Sequence, residues 1–221
     1  MMRSNPPMLS SDLFDMRPRD IDLGPGVRFL RGFALPHGQT LLAALTLVTL
    51  AAPFRHMVIR GGRRMSVAMT NCGSLGWVAD ESGYRYDPTD PRTGNPWPEM
   101  PDVFCNVAIR AANAADFDGF APDVCLINRY EAGARMSLHQ DRNERDFDQP
   151  IVSVSLGLPA VFLWGGSSRT DRPRRILLEH GDVVVWGGPA RKTYHGVHRL
   201  SAGDHPLTGR FRYNLTFRMA G

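Results

Sequence analysis

The chain has 221 residues, 43% hydrophobic and 22% charged, an ordinary globular composition with room for one large domain or two small ones. Its 22 glycines and 17 prolines favour a turn-rich, strand-rich fold over a helical bundle, and a net charge of +4 is compatible with a polyanionic partner without demanding one. Three widely spaced cysteines with no CxxC, namely Cys72, Cys105 and Cys125, exclude a zinc ribbon or a disulfide scaffold. An odd cysteine count behind a polar first segment of no signal-peptide character points to a reducing, cytoplasmic setting.

In chain order, residues 1–24 read as a loose polar arm, and GVRFLRGFAL (26–35) as a short strand. A helix follows over 39–52, where TLLAALTLVTLAA is too short to span a membrane and stops at Pro53. Residues 56–77 divide into two strand-like pieces at Gly61-Gly62. Residues 78–101 are predicted as one long, proline-rich loop, and loops of that length are functional or disordered. The aromatics Trp77, Tyr84, Tyr86 and Trp97 argue that this one is an ordered surface. Residues 100–115 suit a second helix.

From Val124 the texture changes to short apolar strands between turn residues: VCLINRY, RMSLHQD, IVSVSLGL, AVFLWGG, RILLEHGDVVVWGG and RYNLTFR. That spacing indicates a sandwich or barrel. The expected organisation is therefore an arm (1–24), an N-terminal subregion with helices (25–120) and a β core (121–221), with no linker or internal repeat.

Four features of the β-rich half carry chemistry. In LHQD, His139 and Asp141 stand two apart and share one face of an extended segment, as two neighbouring metal ligands would. A distant histidine would complete a two-histidine, one-carboxylate set with open positions on iron(II). His195 in TYHGVH is favoured over His198, His180 and His205 because it follows a strand and a turn that could return to His139. In RYNLTFR, Tyr213, Leu215 and Phe217 lie on one face and Arg212, Asn214, Thr216 and Arg218 on the other. That polar face is either the wet side of a strand or an inward face whose guanidiniums must meet an acid. In INRY, Asn128 and Tyr130 share a face and offer an amide and a phenol to a small acid.

The run CLINRYEAGARMSLHQD…PIVSVSLGLPAVF…RILLEHGDVVVWGG…YHGVH…HPLTGRFRYNLTFR closely resembles the bacterial AlkB alkylated-DNA repair dioxygenases, and the similarity extends upstream through MSVAMTNCGSLGW and DPRTGNPWPEMP. The resemblance implies a mainly β double-stranded β-helix, or jelly roll, with flanking helices and an N-terminal nucleotide-recognition lid. It implies Fe(II) on His139, Asp141 and His195, with 2-oxoglutarate held by Asn128, Tyr130, Arg212, Asn214 and Arg218, and O2 as co-oxidant. Arg212 would meet the far carboxylate, and Arg218 would lie nearer the metal, by Asp141. Trp77, Tyr84, Tyr86 and Arg169 fall where that family contacts the damaged base and its backbone. One position departs from the pattern: Asn143 stands where the best-known branch has an aspartate near the methylated base, which removes a charge suited to cationic lesions.

The implied activity is oxidative demethylation of N-alkylated bases such as 1-methyladenine and 3-methylcytosine. Decarboxylation of 2-oxoglutarate is coupled to hydroxylation of the alkyl carbon and loss of formaldehyde. The implied partner is single- or double-stranded alkylated DNA, or RNA, met by a monomer with no membrane attachment. The alternatives are an oxygenase of the same core acting on RNA, protein or a small molecule, and a metal-free β-barrel that only binds nucleic acid.

Overall fold

The structure, a computed structural model, describes Ile21 and residues 23–221, so nearly all of the predicted arm lies outside the described residues. Among the described residues thirteen strands and two α-helices follow one another as β1 (Val27–Leu30), α1 (Gly38–Ala51), β2 (Arg55–Ile59), β3 (Arg63–Gly73), β4 (Gly76–Asp80), β5 (Gly83–Asp87), α2 (Asp102–Asn113), β6 (Val124–Tyr130), β7 (Met136–His139), β8 (Ile151–Gly157), β9 (Ala160–Trp164), β10 (Arg174–Leu178), β11 (Val183–Trp186), β12 (His195–Val197) and β13 (Arg212–Arg218).

Seven strands form one sheet in the order β1-β11-β8-β13-β6-β3-β2, and four form a second in the order β10-β9-β12-β7. All their pairings are antiparallel, and the two sheets form the jelly roll that the resemblance implies. Strands β1, β2 and β3 from the first half are continuous members of the large sheet.

The large sheet is buried on both faces, and alternation by two sorts its side chains. Val183, Val185, Cys125, Ile127, Leu215 and Phe217 pack with Leu41, Leu45 and Val48 of α1 and Phe104 and Val107 of α2. Val184, Trp186, Leu126 and Tyr130 point the other way, onto Phe162 and Trp164 of β9 and Ile176 of β10. The Tyr213/Leu215/Phe217 face of β13 therefore meets the helices, and its Arg212/Asn214/Thr216/Arg218 face looks between the sheets. All four of those polar residues are buried, so the wet-strand reading is excluded.

Two sequence expectations need correction. The predicted loop over 78–101 contains a hairpin: β4 and β5 pair from Gly76↔Asp87 to Asp80↔Gly83. The Asp80–Gly83 turn closes it, with Gly83 at φ +113° and the Ser82 amide donating to Asp80 Oδ1. Within 78–101 the prolines all fall at 88–101, and their density there masked the alternation just before it. The predicted strand over 26–35 ends at Leu30, because Gly32 turns at φ +62° and Leu35–His37 winds into a 3-10 turn through Pro36.

Candidate functional site

The site is assembled by strand register. His139 is the last residue of β7 and His195 the first of β12, and the two are direct cross-strand partners with ring centroids 4.5 Å apart. The close approach of these strands requires glycine at 196, where a Cβ would lie 2.7 Å from the Met136 carbonyl oxygen. Asp141 follows two residues after His139 and leaves on the same side. The candidate ligand atoms of His139, Asp141 and His195 all lie within 4.8 Å of one another.

The histidine tautomers follow from their neighbours. His139 Nδ1 is 2.9 Å from Ser137 O and His195 Nδ1 is 3.0 Å from Thr193 O. A carbonyl can only accept, so each Nδ1 carries a proton, and it is Nε2 that offers its lone pair in the neutral ring. Both Nε2 atoms stand 3.7 Å from an Asp141 carboxylate oxygen. Burial, reinforced by His139 and only partly opposed by Asp141, lowers the His195 pKa to about 4, so the ring is neutral near pH 7. Burial works to raise the Asp141 pKa, but Arg218, then His195 and His139, outweigh it and hold the carboxyl well below the usual range. Two imidazole Nε2 atoms and one carboxylate, converging on one point, suit a divalent cation of the first transition row.

The triad opens into a cavity of about 640 Å³ between the sheets, and the polar face of β13 forms its inner wall. Arg212 is 1% exposed; its Nη2 donates to Ser155 Oγ at 3.0 Å, while Nε and Nη1 have no acceptor. No carboxylate among the described residues pairs with it, and burial lowers its pKa. Beside it Tyr130, pushed up to about 12 by burial against the pull of Arg212, keeps its phenolic proton. Asn214 donates to Ser153 Oγ (2.8 Å) and Asn128 to Asn214 Oδ1 (3.4 Å), which leaves Asn128 Oδ1 unpartnered. Arg218 bonds Asp141 Oδ2 through Nη2 at 2.7 Å and leaves Nη1 without an acceptor. Orphaned N–H groups on buried guanidiniums are costly, and an entering dianionic acid would satisfy them.

At the mouth, Trp77 of β4 and Tyr84 of β5 stack with centroids 5.5 Å apart and planes 16° from parallel, and both line the cavity with the exposed Asn143 and Arg169. The buried Asn71 amide clamps Trp77 by accepting from its N–H and donating to its carbonyl, each at 3.0 Å. Tyr86 is not part of the cavity wall: its hydroxyl donates to Glu144 Oε1 at 2.6 Å. The rival histidines sit elsewhere, with His198 exposed and His180 and His205 paired at 4.8 Å.

Four site residues escaped the sequence reading. Ser153 and Ser155 alternate on β8 as plainly as the residues of β13, and that signal could have found them. Glu144 and Arg191 are buried charges in segments without strand or α-helix, where no periodicity marks them.

The sequence profile of the 2OG-Fe(II) oxygenase superfamily matches residues 26–218. The alpha-ketoglutarate-dependent dioxygenase AlkB of Salmonella typhimurium is 57% identical over 210 residues, 95% of this chain and 97% of that protein. A DNA N(6)-methyladenine demethylase of Arabidopsis thaliana, ALKBH1A, is 38% identical over 133 residues, 59% of this chain and 37% of that protein. The solved structure of OsALKBH1 superposes with a TM-score of 0.76 at 30% identity, over 90% of this chain and all of that one. The chain thus belongs to the 2OG-Fe(II) oxygenase superfamily and, within it, to the bacterial AlkB family of Fe(II)- and 2-oxoglutarate-dependent dioxygenases.

Proposed function

We propose that this dioxygenase removes N-alkyl groups from bases of nucleic acid, with alkylated DNA as its principal substrate. The observation that carries the reading is a buried, carboxylate-free Arg212 opening into the same cavity as the His139/Asp141/His195 triad. A residual positive charge at that depth is suited to a small diacid bridging guanidinium and metal.

In this reading His139, Asp141 and His195 hold iron. Arg212 takes the far carboxylate of 2-oxoglutarate, helped by Tyr130 and Asn214, and Asn128 and Arg218 face its metal-proximal end. Bound iron, 2-oxoglutarate and O2 together supply an oxidative decarboxylation that hydroxylates the alkyl carbon, after which the carbon leaves the base nitrogen as formaldehyde. The protein contributes position. Two carbonyl-locked imidazoles keep Nε2 turned toward the point where a metal would be held, and the Arg218 bond fixes the plane of Asp141. The Trp77–Tyr84 pair offers an aromatic face to a base withdrawn from its stack, and Arg169 stands at the rim for a phosphate.

Extrusion from a duplex costs a few kcal/mol, so single strands are the easier substrate, and single-stranded RNA meets the same platform. Residues 25–120 carry the recognition side, with the β4–β5 hairpin as lid, and also lend β1, β2 and β3 to the large sheet of the dioxygenase core at 121–221. A cytoplasmic monomer is the working state; the three cysteines are free, and no helix among the described residues is long and apolar enough to cross a membrane.

Methylated oligonucleotide with Fe(II) and 2-oxoglutarate is expected to yield formaldehyde and succinate in equal amounts. Absence of turnover on every alkylated base tested rejects the proposal. Consumption of 2-oxoglutarate that is indifferent to methylated nucleic acid points instead to a protein or small-molecule substrate.

A further inference from the structure

The segment between β7 and β8, residues 140–150, has no regular secondary structure, yet it carries Asp141 at its start. Half of its charged residues, Arg142, Arg145 and Asp148, are exposed, whereas Glu144 is 5% exposed. Burying a carboxylate in a loop is costly unless its partners are in place. Glu144 has three: the Tyr86 hydroxyl at 2.6 Å, Arg218 Nε at 3.1 Å and Arg191 Nη2 at 3.1 Å.

Arg191 is itself only 3% exposed and divides its three nitrogens along this one loop. Nη1 donates to the Asp141 carbonyl at 3.2 Å and Nε to the Gln149 carbonyl at 3.1 Å, while Nη2 stands 3.1 Å from Glu144 Oε2 as an ion pair without hydrogen-bond alignment. A single planar guanidinium thereby pins the loop at its beginning, middle and end. Arg191 also lies four residues before His195 and two before Thr193, whose carbonyl fixes the His195 tautomer. Charge is balanced within the cluster: Arg191 and Arg218 face Asp141 and Glu144.

We infer that Arg191 is a positioning residue of the dioxygenase: it ties the Asp141 loop to the His195 segment and, through Glu144, ties both to Arg218 and to Tyr86 of the recognition hairpin. The inference rests on His139, Asp141 and His195 as the metal ligands. Arginine suits the role because its fork has a fixed geometry with several donors, which a lysine ammonium on a flexible stem does not reproduce. Loss of a residue that orients a ligand typically weakens metal binding about 10–100-fold.

The test uses the full chain without cosubstrate. Mn(II) affinity is measured by calorimetry for wild type, Arg191→Gln, Arg191→Lys and Asp141→Ala, alongside tryptic cleavage after Arg142 and Arg145 in the metal-free state. Arg191→Gln is expected to weaken Mn(II) binding about 10–100-fold and to speed cleavage in the loop, with Arg191→Lys intermediate. If Arg191→Gln melts at a lower temperature but its folded form binds Mn(II) as wild type does, the role is purely structural and the inference fails. If Arg191→Gln does not fold, Arg191→Lys decides, and wild-type affinity in it overturns the inference. A wild-type chain that binds Mn(II) no better than Asp141→Ala instead overturns the ligand assignment, and this inference with it.

Discussion

Arg212 offers the sharpest perturbation, because replacing it has opposite effects on the free protein and on the complex. Its positive charge is buried, and only Nη2 is hydrogen bonded, to Ser155 Oγ. Arg212→Met keeps the stem and removes the charge. Without cosubstrate that relieves an unpaired buried cation, so the melting temperature should hold or rise. With cosubstrate it removes one half of a buried, charge-assisted pair, a loss of about 2–5 kcal/mol. At about 1.4 kcal/mol per tenfold, 2-oxoglutarate should bind roughly 30-fold to several thousand-fold more weakly. The assay is anaerobic calorimetry on Mn(II)-loaded protein together with thermal melting. In wild type, 2-oxoglutarate at a hundred times its Kd should add about 2.7 kcal/mol, or about 5–10 °C for a domain of this size. Arg212→Met should rise by no more than about 3 °C at the same concentration. Wild-type affinity in the variant, or a free protein that melts lower than wild type, would refute the reasoning.

Three further outcomes follow from the geometry. Trp77→Ala removes the stacking face and should lower kcat/KM on a methylated single strand about 5–150-fold, from about 1–3 kcal/mol of base stacking, without altering 2-oxoglutarate affinity; an equal loss in both would place Trp77 in the fold alone. Asn143→Asp restores a negative charge at the cavity mouth and should favour cationic 1-methyladenine and 3-methylcytosine over a neutral etheno base by about 1.5- to 5-fold, as an exposed ion pair would; an unchanged ratio counts against a role in lesion choice. His180 accepts the Gly157 N–H on Nδ1, and its pKa is lowered by burial and then by His205. Its folded value thus lies below the unfolded one, so its stabilisation is complete above about pH 6.5 and is lost as pH falls from there through the folded value. Melting temperature should accordingly decline less steeply below that pH in His180→Gln, and parallel curves would refute the assignment.

The sequence disclosed most where period two and chemistry coincide. His139 and Asp141 share a face because extended residues two apart must, and RYNLTFR displays its polar and apolar sets with equal clarity. What alternation could not decide was whether both faces of β13 are buried, since the answer lies in α1 and α2 covering one side and the second sheet the other. The choice of His195 among the histidines likewise depends on its register against His139, a long-range pairing that local spacing only hints at. The β4–β5 hairpin was hidden by the prolines behind it. Arg191 and Glu144 were hidden more completely: a charged residue in an irregular segment reads as solvated, and only the folded chain shows these two buried against each other.

The most direct measurement is a crystal structure of the full chain grown without oxygen in Mn(II) and 2-oxoglutarate. One metal ion held by His139 Nε2, His195 Nε2 and the Asp141 carboxylate is expected, with the far carboxylate of 2-oxoglutarate on the free N–H groups of Arg212. Metal bound away from this triad, or a diacid that leaves Arg212 unpaired, would contradict the account.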